Sequence, residues 1–461
     1  MDLRLQLAIL VGKLTTVIIR ITGGGATTAP GLFALYVDPN LIKKLSQKIK
    51  NGSIVISGTN GKTTTARLAA NTLSSKYKII HNRQGSNLLR GIATTLISES
   101  SITGVIKSDL GIWEVDEATV GDAISSLSPK VIILLNLMRD QLDRYGEVDT
   151  LRSKWQKAIK ELPKRTILIL NTDDPGISFL AHSSHVKIIF FGINDQEINL
   201  PKITNIADIK FCLNCHSNLN YKTLLTAHMG HYACSKCNFE RPKPNISAQN
   251  LKFKSDFSSS ITLMINDQQS TTINYSLPGL YNVYNILAAS AICQELRIDL
   301  SIIKDSIEKF TAAFGRFQKM TIDEKKIVIF LIKNPAGANE VIRTILQIPK
   351  INILVILNDK IADGRDVSWI WDTNWEVLKS KVKKISVSGI RAWDMAVRLK
   401  YAGIKLSKNN IYKEISYSIA KSLDKLSNKD TLMVLPTYTA LLEVQRTLSK
   451  MSGEFKKWHH Q

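Results

Sequence analysis

Cysteine is scarce, five in 461 residues, and four of the five fall in one short stretch. That excludes a secreted scaffold stapled by disulfides. No apolar run reaches the roughly 20 uninterrupted residues of a membrane-spanning helix. Residues 5–21 come nearest, but Lys13, Thr15, Thr16 and Arg20 interrupt them and no small-residue cleavage pattern follows. The expectation is an amphipathic N-terminal helix that packs on the first domain or touches a bilayer. Acidic residues are in deficit, 39 against 61 Lys plus Arg, for a formal charge of +22. Such a balance suggests nucleic acid or a membrane surface, yet the lysines are scattered and form no aromatic-interleaved patch, which argues against nucleic acid. There is no internal repeat and no long linker, and the length implies two or three domains.

What is present begins with Ser57-Gly58-Thr59-Asn60-Gly61-Lys62-Thr63-Thr64-Thr65, set between a strand-like apolar run at 54–56 and a helix-like run at 66–73. Gly58 and Gly61 let the backbone turn its N–H groups toward an anion, and the helix N-terminus adds its own donors. Lys62 can lie along a β/γ-phosphate and Thr63 can put its hydroxyl on Mg²⁺. The pattern departs from Gly-x-x-x-x-Gly-Lys in having Ile56 where the first glycine would stand, and a bare Gly-Lys-Thr also occurs as an ordinary turn.

Downstream, Ile112-Trp113-Glu114-Val115-Asp116-Glu117 ends an apolar segment in carboxylates, where an α/β protein holds metal ligands. Asp116 and Glu117 can equally be helix-start carboxylates. The run Val131-Ile132-Ile133-Leu134-Leu135 reads as a strand buried on both faces and stops at Asn136. A polar loop follows in which Asp140 and Asp143 could position substrate or water, and Arg139 or Arg144 could neutralise phosphate; a solvated helix cap is the alternative. Asn282 and Asn285 share a helical face and either reach one ligand or cap the helix. After Gly315-Arg316-Phe317-Gln318 a new β/α alternation starts at residue 327, and Lys333 and Asn334 at its first strand end could contact phosphate. Its Pro-Ala-Gly turn needs no ligand.

Cys212, Cys215, Cys234 and Cys237 form two Cys-x-x-Cys knuckles with 18 residues between them. That spacing predicts a tetrahedral Zn²⁺ site, structural because protein fills all four positions; disulfides or an iron–sulfur site remain open. Phe211, Tyr232 and Phe239 are expected to supply the small core, and His216, His228 and His231 to be surface or packing residues. Because the phosphate loop is distant in sequence, zinc is expected to act through folding alone. Lone Cys293 reads as a buried small hydrophobe.

In order, these motifs resemble the Mur ligase family, in which ATP phosphorylates a carboxylate and an amine attacks the acyl phosphate. The stretch Asn358-Asp359-Lys360-Ile361-Ala362-Asp363-Gly364-Arg365-Asp366-Val367-Ser368-Trp369-Ile370 narrows the resemblance to the MurT branch, the synthetase half of lipid II isoglutaminyl synthase. Three aspartates there could otherwise be a metal loop or a solvated loop. The resemblance implies an α/β protein: a helical lead-in at 1–44, a Mur ligase-like central P-loop domain at 45–315 with an inserted Cys₄ zinc ribbon at 205–245, and a C-terminal Rossmann-like domain at 316–461. It implies ATP on Gly58, Thr59, Asn60, Gly61, Lys62, Thr63 and Thr64, with Asn285 on the adenine side and Arg316, Lys333 and Asn334 contributing; Mg²⁺ on Thr63 and Glu114; and Zn²⁺ on the four cysteines. Lys62, Glu114 and Asp366 are the implied catalytic residues, Asp366 completing the Cys-His dyad of a partner.

The resemblance implies that this partner is a GatD-like glutaminase in a heterodimer, and Cys293, which lies in no nucleophile context, offers the chain no glutaminase of its own. The implied reaction is amidation of the D-glutamate α-carboxylate of the lipid II stem peptide, in the cytoplasm or at the inner membrane face, where a basic surface suits a pyrophosphate lipid. An amino-acid-adding Mur ligase is the alternative. A non-enzymatic nucleotide-binding module is the competing class.

Overall fold

The computed structural model describes the chain apart from residues 1, 24–26, 83–85, 140–147, 196, 201–207, 312–316, 349, 428–429 and 453–461. Nine strands form one sheet: β1 (Ser53–Ser57), β2 (Ile79–His81), β3 (Leu110–Glu114), β4 (Val131–Leu134), β5 (Ile167–Asn171), β6 (Lys187–Ile193), then β9 (Ile246–Phe253), β10 (Ser259–Ile265) and β11 (Gln269–Tyr275). The hairpin β7 (Leu219–Thr226) and β8 (Met229–Cys234) stands apart from it. The spatial order β11-β10-β9-β6-β5-β4-β1-β3-β2 is parallel from β2 to β9 and antiparallel beyond, an edge that the sequence reading did not foresee.

Alternation along the strands sends side chains to two cores. Ile54 and Ile56 join one cluster with Ile112 and Ile133, whereas Val55 joins another with Trp113 and Ile132. Helix Lys62–Leu73 and helix Leu280–Glu295 cover the first face; helices Leu3–Ile21, Leu89–Glu99, Val120–Leu127 and Val148–Lys160 cover the second. Helix Leu280–Glu295 is buried on almost every side because its run of Ala288, Ala289, Ser290 and Ala291 lets neighbours approach closely. Cys293 is buried there as expected, and burial pushes its thiol up to about 12.

A second sheet holds β12 (Phe317–Ile322), β13 (Lys325–Phe330), β14 (Ile351–Ile356), β15 (Val382–Ser388) and β16 (Thr431–Pro436) in the order β12-β13-β16-β14-β15. Asp323 and Glu324, both at positive φ, close the β12–β13 hairpin tightly. The other pairings are parallel, so β13, β14 and β16 deliver their following loops to one edge. The β13 loop leads into helix Pro335–Ile345, which faces the glycine-containing loop after β1.

Candidate active site

The loop after β1 has Gly58 at φ 142 and Gly61 at φ 94. Space there is closed as well: a Cβ on Gly61 would lie 2.3 Å from Asn285 Oδ1, and one on Gly58 2.9 Å from Leu135 Cβ. The chain after β4 fixes the loop's shape. Asn136 O accepts the Thr59 N–H at 3.0 Å, and Asn136 Oδ1 accepts the Asn60 N–H at 2.9 Å while its Nδ2 donates to Asn60 O at 3.0 Å. The Thr59 hydroxyl donates to Met138 O at 3.0 Å and accepts from Met138 N at 2.9 Å.

Lys62 is buried and folded back. Its Nζ donates to Gly58 O at 2.6 Å and to Thr59 O at 3.3 Å, and pairs with Glu117 Oε2 at 2.8 Å. Glu117 is therefore the lysine's counter-ion, whereas Asp116 takes the helix-start role, accepting from Ala118 N at 3.1 Å. Glu114 ends β3 with Oε1 accepting from the Thr63 hydroxyl at 2.5 Å. Its Oε2 is buried with no hydrogen-bond partner among the described residues. An orphaned carboxylate oxygen beside a threonine hydroxyl fits a Mg²⁺ site, since a buried anion of this kind otherwise lacks compensation.

A cleft of about 1080 Å³, counting its open mouth, separates the two sheets, with Asn60, Gly61, Thr64 and Asn285 on one wall and Lys333 and Glu340 on the other. Asn282 Nδ2 donates to Pro278 O at 2.7 Å and Asn285 Nδ2 to Asn282 Oδ1 at 3.0 Å, so the two amides brace the helix start while lining the cleft. Asn334 caps helix Pro335–Ile345 by accepting from Gly337 N at 2.8 Å and donates to Asn60 Oδ1 at 3.1 Å, joining the two units directly. Arg139 donates to Asp208 Oδ1 at 3.0 Å. Asp140, Asp143, Arg144 and Arg316 lie outside the described residues.

The three aspartates of the 359–366 loop diverge. Asp359 pairs with Arg391 at 3.0 Å, and Asp363 is buried on Thr439, accepting its N–H at 2.7 Å. Asp366 accepts from Ser368 N at 2.7 Å and Ser368 Oγ at 2.8 Å, half-exposed at the start of a short 3₁₀ turn. The loop therefore gathers no carboxylates for a metal. Among the described residues only the four cysteines form such a cluster.

Their sulfurs all lie within 4.8 Å of one another, with Cys212 and Cys237 at 3.5 Å, Cys215 and Cys234 at 3.4 Å, and no disulfide. Backbone N–H groups of Asn214 and Lys236 donate to Cys212 and Cys234, the donor pattern that supports thiolates. Hydrogen bonds from Ser217 hold the Cys215 thiol down to about 6, whereas burial pushes Cys212 up to about 12. Four convergent thiols fit Zn²⁺. Tyr232 and Phe239 form the island's core as expected, but Phe211 is exposed; Phe179 from the main body takes its place, 5.5 Å edge-on to Phe239. His231 Nε2 lies 2.7 Å from Ile193 O and His228 is buried 3.5 Å from Asp174, so both histidines pack.

Sequence distance misled in one respect. The far end of the β7–β8 hairpin, Thr226 and Met229, lines the cleft; Thr226 Oγ1 donates to Glu340 Oε1 at 2.7 Å and Arg343 donates to Leu225 O at 2.7 Å. Glu340 carries no sequence signal, and Asn136 reads only as the end of a buried strand, because the bonds each makes are to partners far along the chain.

The family profile described as Mur ligase middle domain matches residues 56–232, and the one described as MurT ligase C-terminal matches residues 331–441. The MurT subunit of lipid II isoglutaminyl synthase (glutamine-hydrolyzing) from Staphylococcus aureus strain COL is 32% identical over 449 residues, 96% of this chain and 97% of that protein. The subunit of the same name from Streptococcus pneumoniae R6 is 32% identical over 455 residues, 97% and 98% of the two chains. Among solved structures, a pseudomurein peptide ligase type C from Methanothermus fervidus superposes with a TM-score of 0.67 at 23% identity, over 88% of this chain and 80% of that one. MurF ligase from Thermotoga maritima in complex with ADP superposes with a TM-score of 0.65 at 15% identity, over 92% and 84%. The chain belongs to the MurT family of Mur-type ligases.

Proposed function

We propose that this chain is the synthetase subunit of a lipid II isoglutaminyl synthase, an ATP-dependent carboxylate–amine ligase that converts the D-glutamate α-carboxylate of the lipid II stem peptide to D-isoglutamine. The observation that carries the reading is the likeness to MurT subunits along nearly the whole chain, including the Asp366 loop. The site geometry supports it: a phosphate loop opens onto a cleft between two sheets, with a carboxylate and a threonine hydroxyl at its end.

In the proposed reaction the substrate carboxylate oxygen attacks the γ-phosphorus of ATP and ADP leaves. Ammonia then attacks the acyl carbon and inorganic phosphate departs. Gly58 to Thr64 hold the phosphates, and Lys62, released in part from Glu117, neutralises charge on the transferring group. Mg²⁺ on Thr63 and Glu114 would supply further charge neutralisation. Asn285, Lys333, Asn334 and Arg316 are proposed nucleotide contacts, and the four cysteines a structural Zn²⁺ site. Ammonia would come from a GatD-like glutaminase partner whose catalytic histidine is oriented by Asp366.

Purified chain, ATP, Mg²⁺, lipid II and ammonium chloride should yield ADP and a product whose mass reports replacement of one carboxyl OH by NH₂; glutamine should serve only when the partner is added. Ligation of an amino acid to a nucleotide-linked peptide without any glutaminase would instead favour the amino-acid-adding reading. UDP-N-acetylmuramate–L-alanine ligases are more remote relatives, one at 25% identity over 60% of this chain.

A further inference from the structure

Helix Leu3–Ile21 is apolar on two opposite faces. Leu5, Ala8, Ile9 and Gly12 are buried against the central unit. On the far side Leu3, Leu7, Leu14, Val17, Ile18 and Ile21 stand 53–80% exposed. At 3.6 residues per turn their stripe is centred roughly 170° from the buried one, so the exposure is a continuous face rather than scattered single residues. Its edges are cationic, with Arg4 on one side and Lys13 and Arg20 on the other, and the helix contains no acidic residue. The Thr15 and Thr16 hydroxyls donate to Val11 O and Gly12 O, which leaves no unmet hydroxyl donor beside the stripe. Phe33 and Tyr36, on helix Ala29–Val37, are exposed as well, and Arg4 Nε donates to Val37 O at 2.7 Å to tie the two helices together.

Among the described residues no helix is long and apolar enough to cross a membrane, and the packed inner face would in any case keep this one attached to the central unit. We propose that the outward face docks on an anionic lipid surface, the helix lying in the plane of the interface with its apolar stripe among the acyl chains. Arg4, Lys13 and Arg20 would reach lipid phosphates from the stripe's edges, as long cationic side chains do at membrane boundaries. Charge selects this occupant over a second copy of the chain. Two such helices face to face would bring cation against cation, and the one nearby carboxylate, Asp2 at the N-cap, is already paired with Lys44 at 2.7 Å, whereas an anionic leaflet complements both edges and the chain's +22 charge. The docking surface rests on the helix and stands independently of the amidation chemistry.

The test uses the full chain without nucleotide or substrate, sedimented with phosphatidylcholine vesicles or with vesicles containing phosphatidylglycerol. Binding to the anionic vesicles is expected, falling by roughly tenfold or more in Leu7→Gln/Leu14→Gln/Ile18→Gln and in Lys13→Gln/Arg20→Gln. Thermal melting of both variants should match the parent, because the substituted groups lie outside the core. The proposal is overturned if the parent ignores anionic vesicles, or if the apolar triple variant binds as well as the parent, which would assign binding to the general basic surface. It is also overturned if sedimentation velocity shows a dimer that the triple variant loses while neither protein binds vesicles. Amidation is measured separately with detergent-solubilised lipid II, so loss of docking and failure of the enzymatic reading are read independently.

Discussion

Lys62 Nζ lies 2.8 Å from Glu117 Oε2, with the two side chains only 9% and 6% exposed, so the lysine at the end of the β1 loop is held by a buried counter-ion. Breaking such a pair from one side leaves an uncompensated charge and costs about 3–5 kcal/mol. Lys62→Ala and Glu117→Gln should each lower the urea midpoint, while Lys62→Met/Glu117→Gln should recover much of it. Phosphoryl transfer should stay at least about a hundredfold down in both Lys62 variants, since the group opposing phosphate charge is gone. Near-normal turnover in the stable double variant would remove Lys62 from the chemistry.

Gly61→Ala places a methyl where φ is 94 and Asn285 Oδ1 would be 2.3 Å away. The left-handed backbone alone costs roughly 1–2 kcal/mol, and Asn285 must move as well. Calorimetry should show ATP affinity reduced together with a lower melting temperature. Unchanged affinity would mean that the loop and Asn285 do not act as one nucleotide wall.

Cys234→Ser should lose zinc by elemental analysis and destabilise the island, because it removes one of four convergent sulfurs and a metal bound only by the folded ligands stabilises the fold that gathers them. Thr226→Val separates folding from function: it keeps the cysteines but removes the bond to Glu340. Zinc content should hold while KM for ATP rises. Iron with visible absorption in the parent protein would overturn the zinc assignment.

Asp366→Asn keeps a side-chain oxygen for Ser368 and should fold normally. With the glutaminase partner present, glutamine-dependent amidation should be largely lost and ammonium-dependent amidation retained. Equal loss of both would move Asp366 into the synthetase site.

His228 is buried 3.5 Å from Asp174. Burial lowers its pKa, but the carboxylate of Asp174 beside it, with Asp208 further off, outweighs that, and the net direction is upward. A raised folded pKa means that the stabilisation is fully present below the ordinary histidine range and is lost as pH rises through the folded value. The melting temperature of the parent should therefore decline above about pH 6.5 more steeply than that of His228→Gln. Parallel curves would show that the ring stays neutral.

Local pattern made the strands legible. Residues 54–56 became β1, the run 131–135 became β4, and the Gly58–Gly61 turn formed where the spacing placed it, because backbone geometry and burial on both sheet faces are written into adjacent residues. The cysteine knuckles were equally readable, since metal geometry needs only short spacings. The antiparallel edge β9–β11 was not foreseen, as its half-exposed strands lack the continuous apolar runs that marked β1 and β4.

The sequence by itself determined which groups could bind phosphate and metal, and it carried the family likeness. Tertiary structure decided which of those groups meet. Asn60 holds Asn136 and Asn334 across 76 and 274 positions of chain, Glu117 rather than solvent receives Lys62, and the β7–β8 hairpin, which ends at Cys234, reaches the cleft between the sheets. Such pairings depend on how two sheets and a hairpin pack together, and no periodicity within any one segment encodes that.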